Sequence, residues 1–112
     1  MTVFHPPATE EPALRALLDR IVPVFRPEAI YLFGSRAERR GGLESDWDLL
    51  VVVPDDTPAE RLTVVAGYEA VRGSGVAADV FPTRQSRFEA LKSQVGSLSH
   101  AAWRRGRLVY GV

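Results

Sequence analysis

Leu32-Phe33-Gly34-Ser35-Arg36 and Ser45-Asp46-Trp47-Asp48-Leu49-Leu50-Val51, with ten residues between Ser35 and Asp46, decide how the chain is read. Each segment joins a buried strand to a polar turn. Ala29-Ile30-Tyr31-Leu32-Phe33 is a short, nearly continuous apolar run that stops at Gly34, and Leu49-Leu50-Val51-Val52-Val53 is a second that stops at Pro54. Runs of this length suit strands covered on both faces. Gly34 ends the first strand and Ser35 opens a short helical turn. A residue without a Cβ lets a ligand approach the backbone, and unpaired N–H groups at a helix start attract phosphate. The Ser35 hydroxyl adds a donor and the Arg36 guanidinium a delocalised charge. Asp46 and Asp48 are two residues apart at the mouth of the second strand, so both carboxylates point to one side.

Outward from these strands the periodicity changes. Leu14, Leu17, Leu18, Ile21, Val22 and Phe25 recur at helical spacing, with Thr9 as a cap, Pro12 in the first turn and Pro23 as a kink or end. Thr57-Pro58-Ala59-Glu60 reads as a helix start, with Leu62, Val65, Tyr68 and Val71 as the inner face and Gly73-Ser74-Gly75 as the stop. Val76–Phe81 reads as a third strand before Pro82. Ser86-Arg87-Phe88-Glu89 repeats the capping pattern, and Phe88, Leu91, Val95, Leu98 and Ala102 follow it on one helical stripe that Gly106 breaks. Leu108-Val109-Tyr110 is left as a terminal strand. Helices and apolar strands alternate, which predicts an α+β (α/β-like) architecture, a mixed four-stranded sheet flanked by about four helices. Strand order cannot be read from these patterns.

Composition limits the classes of function. The 112 residues fit one domain, 1–112, with residues 1–8 expected as a flexible tail. Hydrophobic residues make up 46% and charged residues 25%, the balance of an ordinary globular protein, which makes intrinsic disorder a poor reading. Fourteen basic side chains balance fourteen acidic ones, which disfavours direct nucleic-acid binding over the whole surface. Cysteine is absent, so thiolate zinc sites and thiol nucleophiles are excluded, and the scattered His5 and His100 argue against zinc of any kind. No apolar run approaches the roughly 20 residues of a membrane span, and the start lacks a leader's basic and apolar regions. A cytoplasmic domain is expected. The neutral total hides an asymmetry: from Arg84 to Val112 six basic residues (Arg84, Arg87, Lys92, Arg104, Arg105, Arg107) face the single acid Glu89. Such a region is either a solvated face or a contact for an anionic partner.

Two neighbouring carboxylates repel each other unless cations sit between them. Hard oxygen ligands favour magnesium or manganese, which share the phosphates of a substrate. Asp79 lies in the otherwise apolar run Val76–Phe81, where a buried charge would be costly without a partner. If its strand neighbours the one containing Asp48, three carboxylates can hold two cations about 3.5–4 Å apart, the arrangement of phosphoryl-type transfer. Singly, each feature has an ordinary explanation. Asp-x-Asp is usually a solvated turn, Gly-Ser a common loop, and a lone strand acid can face water at an edge. Their conjunction would need several coincidences. Trp47, between the two acids, points to the opposite side of the strand and is expected in the core, a nucleobase platform being the alternative.

Gly34-Ser35, ten residues, then Asp46-Trp47-Asp48 resembles the signature of the polymerase-beta-like nucleotidyltransferase superfamily. Leu32-Phe33-Gly34-Ser35-Arg36-Ala37 and Ser45-Asp46-Trp47-Asp48-Leu49 look specifically like the MNT-type minimal nucleotidyltransferases, and the likeness extends to Gly106-Arg107-Leu108-Val109-Tyr110. The resemblance implies that Asp46, Asp48 and Asp79 are catalytic and ligate metal. It implies that Gly34 and Ser35, with Arg36 and Arg39, bind the phosphates of the nucleotide. It further implies two Mg2+ ions (Mn2+ being the alternative), ATP as substrate, and transfer of AMP to a tyrosine of a HEPN-domain toxin for which the chain is the antitoxin. One position departs from the pattern: many relatives read Gly-Ser-Arg-Ala-Arg-Gly, where this chain has Glu38 in place of the second arginine, with Arg39 or Arg40 as shifted substitutes.

Length adds a separate argument. Four strands, four helices and their connections consume the chain, so the acceptor must bring its own recognition surface, which points to a protein partner or a homodimer. Two rival functions are a non-catalytic subunit that inhibits its partner by occupying it, and transfer to a small-molecule hydroxyl. The first would tolerate a broken carboxylate set. The second needs an acidic acceptor-binding extension.

Overall fold

The amphipathic run beginning at Pro12 forms helix α1 (Pro12–Phe25), with Leu14, Leu17, Ile21 and Phe25 as its buried stripe. The computed structural model describes residues 12–34, 37 and 46–111, so the cap expected at Thr9 and the tail expected over 1–8 lie outside the described residues. Pro23 does not end the helix, which runs two residues further. The N–H that proline lacks falls in the last turn, where Pro23 is exposed and water can serve the freed carbonyl. Burial of Phe25 holds that turn in place, and Arg26, in the left-handed region at φ 48°, closes it by donating its N–H to the Val22 carbonyl (2.9 Å).

Strand β1 (Ala29–Phe33) coincides with its apolar run. Strand β2 (Trp47–Val53) starts two residues before its run, so Asp48 lies within the strand. Strand β3 (Ala78–Arg84) starts later than expected and continues through Pro82. Proline is tolerated there because β3 is an outer strand, with ladder bonds on one side only. Strand β4 (Arg107–Gly111) forms the other edge. The order is β3-β2-β1-β4, with β1 antiparallel to both β2 and β4, and β2 parallel to β3. The sheet is therefore mixed. Its β1–β4 register slips between Ile30, opposite Tyr110, and Tyr31, opposite Leu108, which leaves Val109 as a bulge.

Alternation along the strands divides the core into two layers. Ile30, Leu32, Trp47, Leu49, Val51, Val53 and Val80 meet α1 on one face, joined there by Val71 of helix α2 (Val64–Val71). Phe33, Leu50 and Val52 meet Phe88 of helix α3 (Gln85–Leu91) and Ala102 of helix α4 (Leu98–Arg105) on the other. Among the described residues, four helices thus flank a four-stranded sheet, two on each side.

Both downstream helices depart from the periodicity. The helix expected from Thr57 is split into a 3-10 turn (Ala59–Arg61) and α2, which is capped by Thr63, whose Oγ1 accepts from Ala66 N (3.0 Å). Val65 and Tyr68, expected inside, are 68% and 60% exposed. The reason is Gly67: a Cβ there would stand 2.7 Å from the Val80 carbonyl oxygen and 2.9 Å from Val80 Cβ. The helix uses glycine to lie directly on β3, and that orientation turns Val64, Val65 and Tyr68 outward. The stripe expected from Phe88 to Ala102 is likewise broken into α3 and α4. Gly96 adopts φ 97°, and Ser97 then caps α4 by accepting from His100 N (3.0 Å) while its hydroxyl donates to the Leu91 carbonyl (2.9 Å). Val95, in the break, is 88% exposed. The start of α3 is served by a distant residue, since Asp55 Oδ1 accepts from Ser86 N (2.9 Å).

Candidate functional site

Trp47 sets the geometry of the polar end of the sheet. Its indole is buried on the α1 face, and its backbone N–H donates to the Ala77 carbonyl (3.1 Å), which starts the β2–β3 ladder. Alternation then forces Asp48 onto the α3/α4 face, while Leu49 returns to the α1 core. Because β2 and β3 are parallel and in register, Asp48 stands beside Asp79, and paired residues of neighbouring strands share a face. Leu50 and Phe81, two residues further along each strand, pack in the α3/α4 layer and identify that face independently. Asp46, exposed, immediately precedes β2.

Gly34 completes the rim. It follows Phe33, the residue of β1 that pairs with Asp48, and adopts φ 78°. A Cβ built on Gly34 would overlap Asp48 Oδ2, so glycine is required by both the backbone turn and the carboxylate beside it.

Burial raises the Asp48 carboxyl above the usual carboxylate range, and the negative charges of Asp79 and then Asp46 push it further in the same direction. Asp48 thus senses the charge of both other acids. Among the described residues, none donates a hydrogen bond to them or forms an ion pair with them. Nor are any three His, Asp or Glu side chains of the described residues gathered closely enough to hold a metal ion as they stand. The donor chemistry fits a hard divalent cation: acceptor-only oxygens, mutual repulsion, and no cation of the described residues to relieve it.

Of the residues singled out from the sequence, Gly34, Asp46, Asp48 and Asp79 come to one end of the sheet, Asp79 from far along the chain. Ser35, Arg36 and Arg39 lie outside the described residues, as do Glu38 and Arg40. Trp47 is a core residue, 3% exposed. The basic region from Arg84 onward is not one surface. Arg84 is engaged internally, donating to the carbonyls of Asp55 and Thr57 (3.1 Å each). Lys92 pairs with Glu89 (2.7 Å) and lies over the Trp103 ring at 4.3 Å. Arg87, Arg104 and Arg105 remain exposed.

No pattern in the chain signals a cavity of about 310 Å3 lined by Leu50, Leu62, Phe81, Pro82, Arg87 and Leu98 among others. Its walls come from five elements, β2, α2, β3, α3 and α4, with Leu62 and Ser97 between them, and only the fold assembles these.

A family model described as "Polymerase beta, Nucleotidyltransferase" matches residues 19–111. A comparison with curated proteins finds no match.

Proposed function

The chain belongs to the polymerase beta nucleotidyltransferase family, and from that premise we propose that it moves a nucleoside monophosphate, AMP from ATP, onto a hydroxyl of a partner protein. In the fuller form of this reading the acceptor is a tyrosine of a HEPN-domain toxin and the chain acts as its antitoxin. The observation that carries the enzymatic part is the register of Asp48 beside Asp79 on one sheet face, with Gly34 packed against the first of them.

In the proposed reaction the acceptor oxygen forms a bond to the α-phosphorus, the bond from that phosphorus to the bridging oxygen breaks, and pyrophosphate leaves. Asp46, Asp48 and Asp79 would hold magnesium or manganese, which when bound neutralises charge on the phosphates and lowers the pKa of the acceptor hydroxyl. Gly34 leaves room at Asp48 for a phosphate oxygen to approach, and the Ser35 hydroxyl is assigned as a donor to it. Arg36 and Arg39 are assigned to the same phosphates. Asp79, exposed at the edge strand, accepts the proton of the acceptor hydroxyl as the new bond forms. The intact set of three acids supports this reading over that of a purely inhibitory subunit.

The test is transfer of label from α-labelled ATP, with magnesium, to a protein that co-purifies with the chain. Asp46→Asn is expected to abolish the transfer without unfolding the protein, because Asp46 is exposed and lies outside the strand. Label transfer that survives this substitution overturns the proposal.

A further inference from the structure

Helix α4 ends at the carboxylate rim. Gly106, which follows its last turn, packs so closely on β1 that a Cβ there would stand 2.7 Å from the Leu32 carbonyl oxygen. Two residues beyond Leu32, roughly 6.6 Å along an extended strand, is Gly34, whose open side faces Asp48 Oδ2. Helix α4 also lies on the face that carries Asp48 and Asp79, since its Ala102 packs with Phe33 and Leu50. Arg104 and Arg105, the last two residues of the helix, are therefore on the face of the carboxylates and at their end of the sheet. Both are exposed, and neither makes a hydrogen bond or ion pair with a described residue. Arg107 belongs elsewhere: it pairs in register with Leu32, whose side chain is in the α1 layer.

Two adjacent arginines thus end a helix on the face and at the end of the sheet that carry the three carboxylates, without being paired to them. Cations at a helix C-terminus complement its dipole, but that role is filled equally by lysine and needs no particular partner. A polyphosphate satisfies both sets of charge. With one phosphate at the carboxylates, the rest of the chain carries negative charge away from the acids, toward donors whose planar fork matches phosphate oxygens. We infer that Arg104 and Arg105 bind the terminal phosphates of a nucleoside triphosphate whose α-phosphate lies at Asp48 and Asp79. The inference rests on the nucleotidyltransferase reading and adds to it a phosphate-binding element from the opposite end of the chain. As the bond at the α-phosphorus breaks, the same arginines receive the growing charge on the departing pyrophosphate.

The experiment is calorimetric titration of the full chain with ATP and with AMP, each with magnesium. The proteins compared are the wild type, Arg104→Gln/Arg105→Gln, Arg104→Lys/Arg105→Lys, and Arg72→Gln as an exposed control at the C-terminal end of α2. In the glutamine double variant the ATP Kd is expected to rise about tenfold or more while the AMP Kd stays unchanged. The lysine variant should recover part of the loss, and the Arg72→Gln control should bind ATP as the wild type does. Thermal unfolding of each variant reports the helix-end role separately. Wild-type ATP binding that the glutamine variant retains in full overturns the inference and leaves the family reading intact, as does an equal weakening of ATP and AMP. A wild-type chain that binds neither nucleotide overturns the nucleotidyltransferase reading itself.

Discussion

Replacing Asp48 by asparagine should stabilise the metal-free protein at neutral pH. Asp48 and Asp79 are neighbours in the parallel ladder, which sets their backbones about 4.8 Å apart and allows carboxylates at about 5 Å. Two like charges at that distance repel by about 0.8 kcal/mol in bulk water and about 3 kcal/mol at an effective dielectric of 20. Both side chains reach solvent, so screening keeps the net effect near the lower figure, roughly 0.5–1 kcal/mol. The direction with pH follows from the raised Asp48 carboxyl. The folded state favours the protonated form, so the associated stability is complete below the unfolded pKa and is lost as pH rises through the folded one. The amide of the substituted side chain has no proton to lose over this range. The variant should therefore exceed the wild type at neutral pH by a few degrees in Tm, and the gap should close as the pH falls toward about 4. Thermal unfolding in the presence of a chelator, repeated across this pH range, measures both. In the double-mutant cycle, adding Asp79→Asn to the first substitution should contribute less than it does alone. Millimolar magnesium should raise the wild-type midpoint and leave that of the Asp48→Asn variant unchanged. A variant less stable than the wild type at neutral pH, or a gap that widens on acidification, refutes the reasoning.

Gly67→Ala should destabilise the fold by about 1–3 kcal/mol, because the added methyl meets the Val80 backbone rather than a movable side-chain tip; the urea midpoint should drop with an unchanged m-value. Tyr31→Phe should leave stability at neutral pH nearly unchanged and flatten its decline in alkali. Burial raises the Tyr31 phenol above its ordinary value, with Lys92 opposing and Glu89 assisting, so its contribution persists below the unfolded pKa and disappears as pH passes the folded one. Unfolding curves recorded across the alkaline range check this.

The elements of the sheet were legible because buried strands announce themselves by composition. Ile30 and Leu32, and the run from Leu49 to Val53, are apolar without a helical period, and they occupy the positions that such runs imply. The helices were less legible. Tyr68 and Val65 fit a helical stripe as well as Ala66, Gly67 and Ala70 do, and hydrophobicity alone favours the wrong set. Close approach to Val80 selects glycine and reverses the choice. Val95 continues the Phe88 stripe in number but falls where Gly96 and Ser97 break the chain.

What the amino-acid sequence by itself determined is local: where the apolar strands run, that Asp46 and Asp48 are spaced to share a side, and that Gly34 ends the strand preceding them. Tertiary structure alone decided that β3 lies parallel beside β2, in the register that sets Asp79 next to Asp48, and that α4 ends at Gly34's side of the sheet. The physical reason is range. Periodicity and turn chemistry act over a few residues, whereas strand order and register are chosen by the burial of Trp47, Val80 and the helix faces together, contacts between segments that carry no mark of one another in the chain.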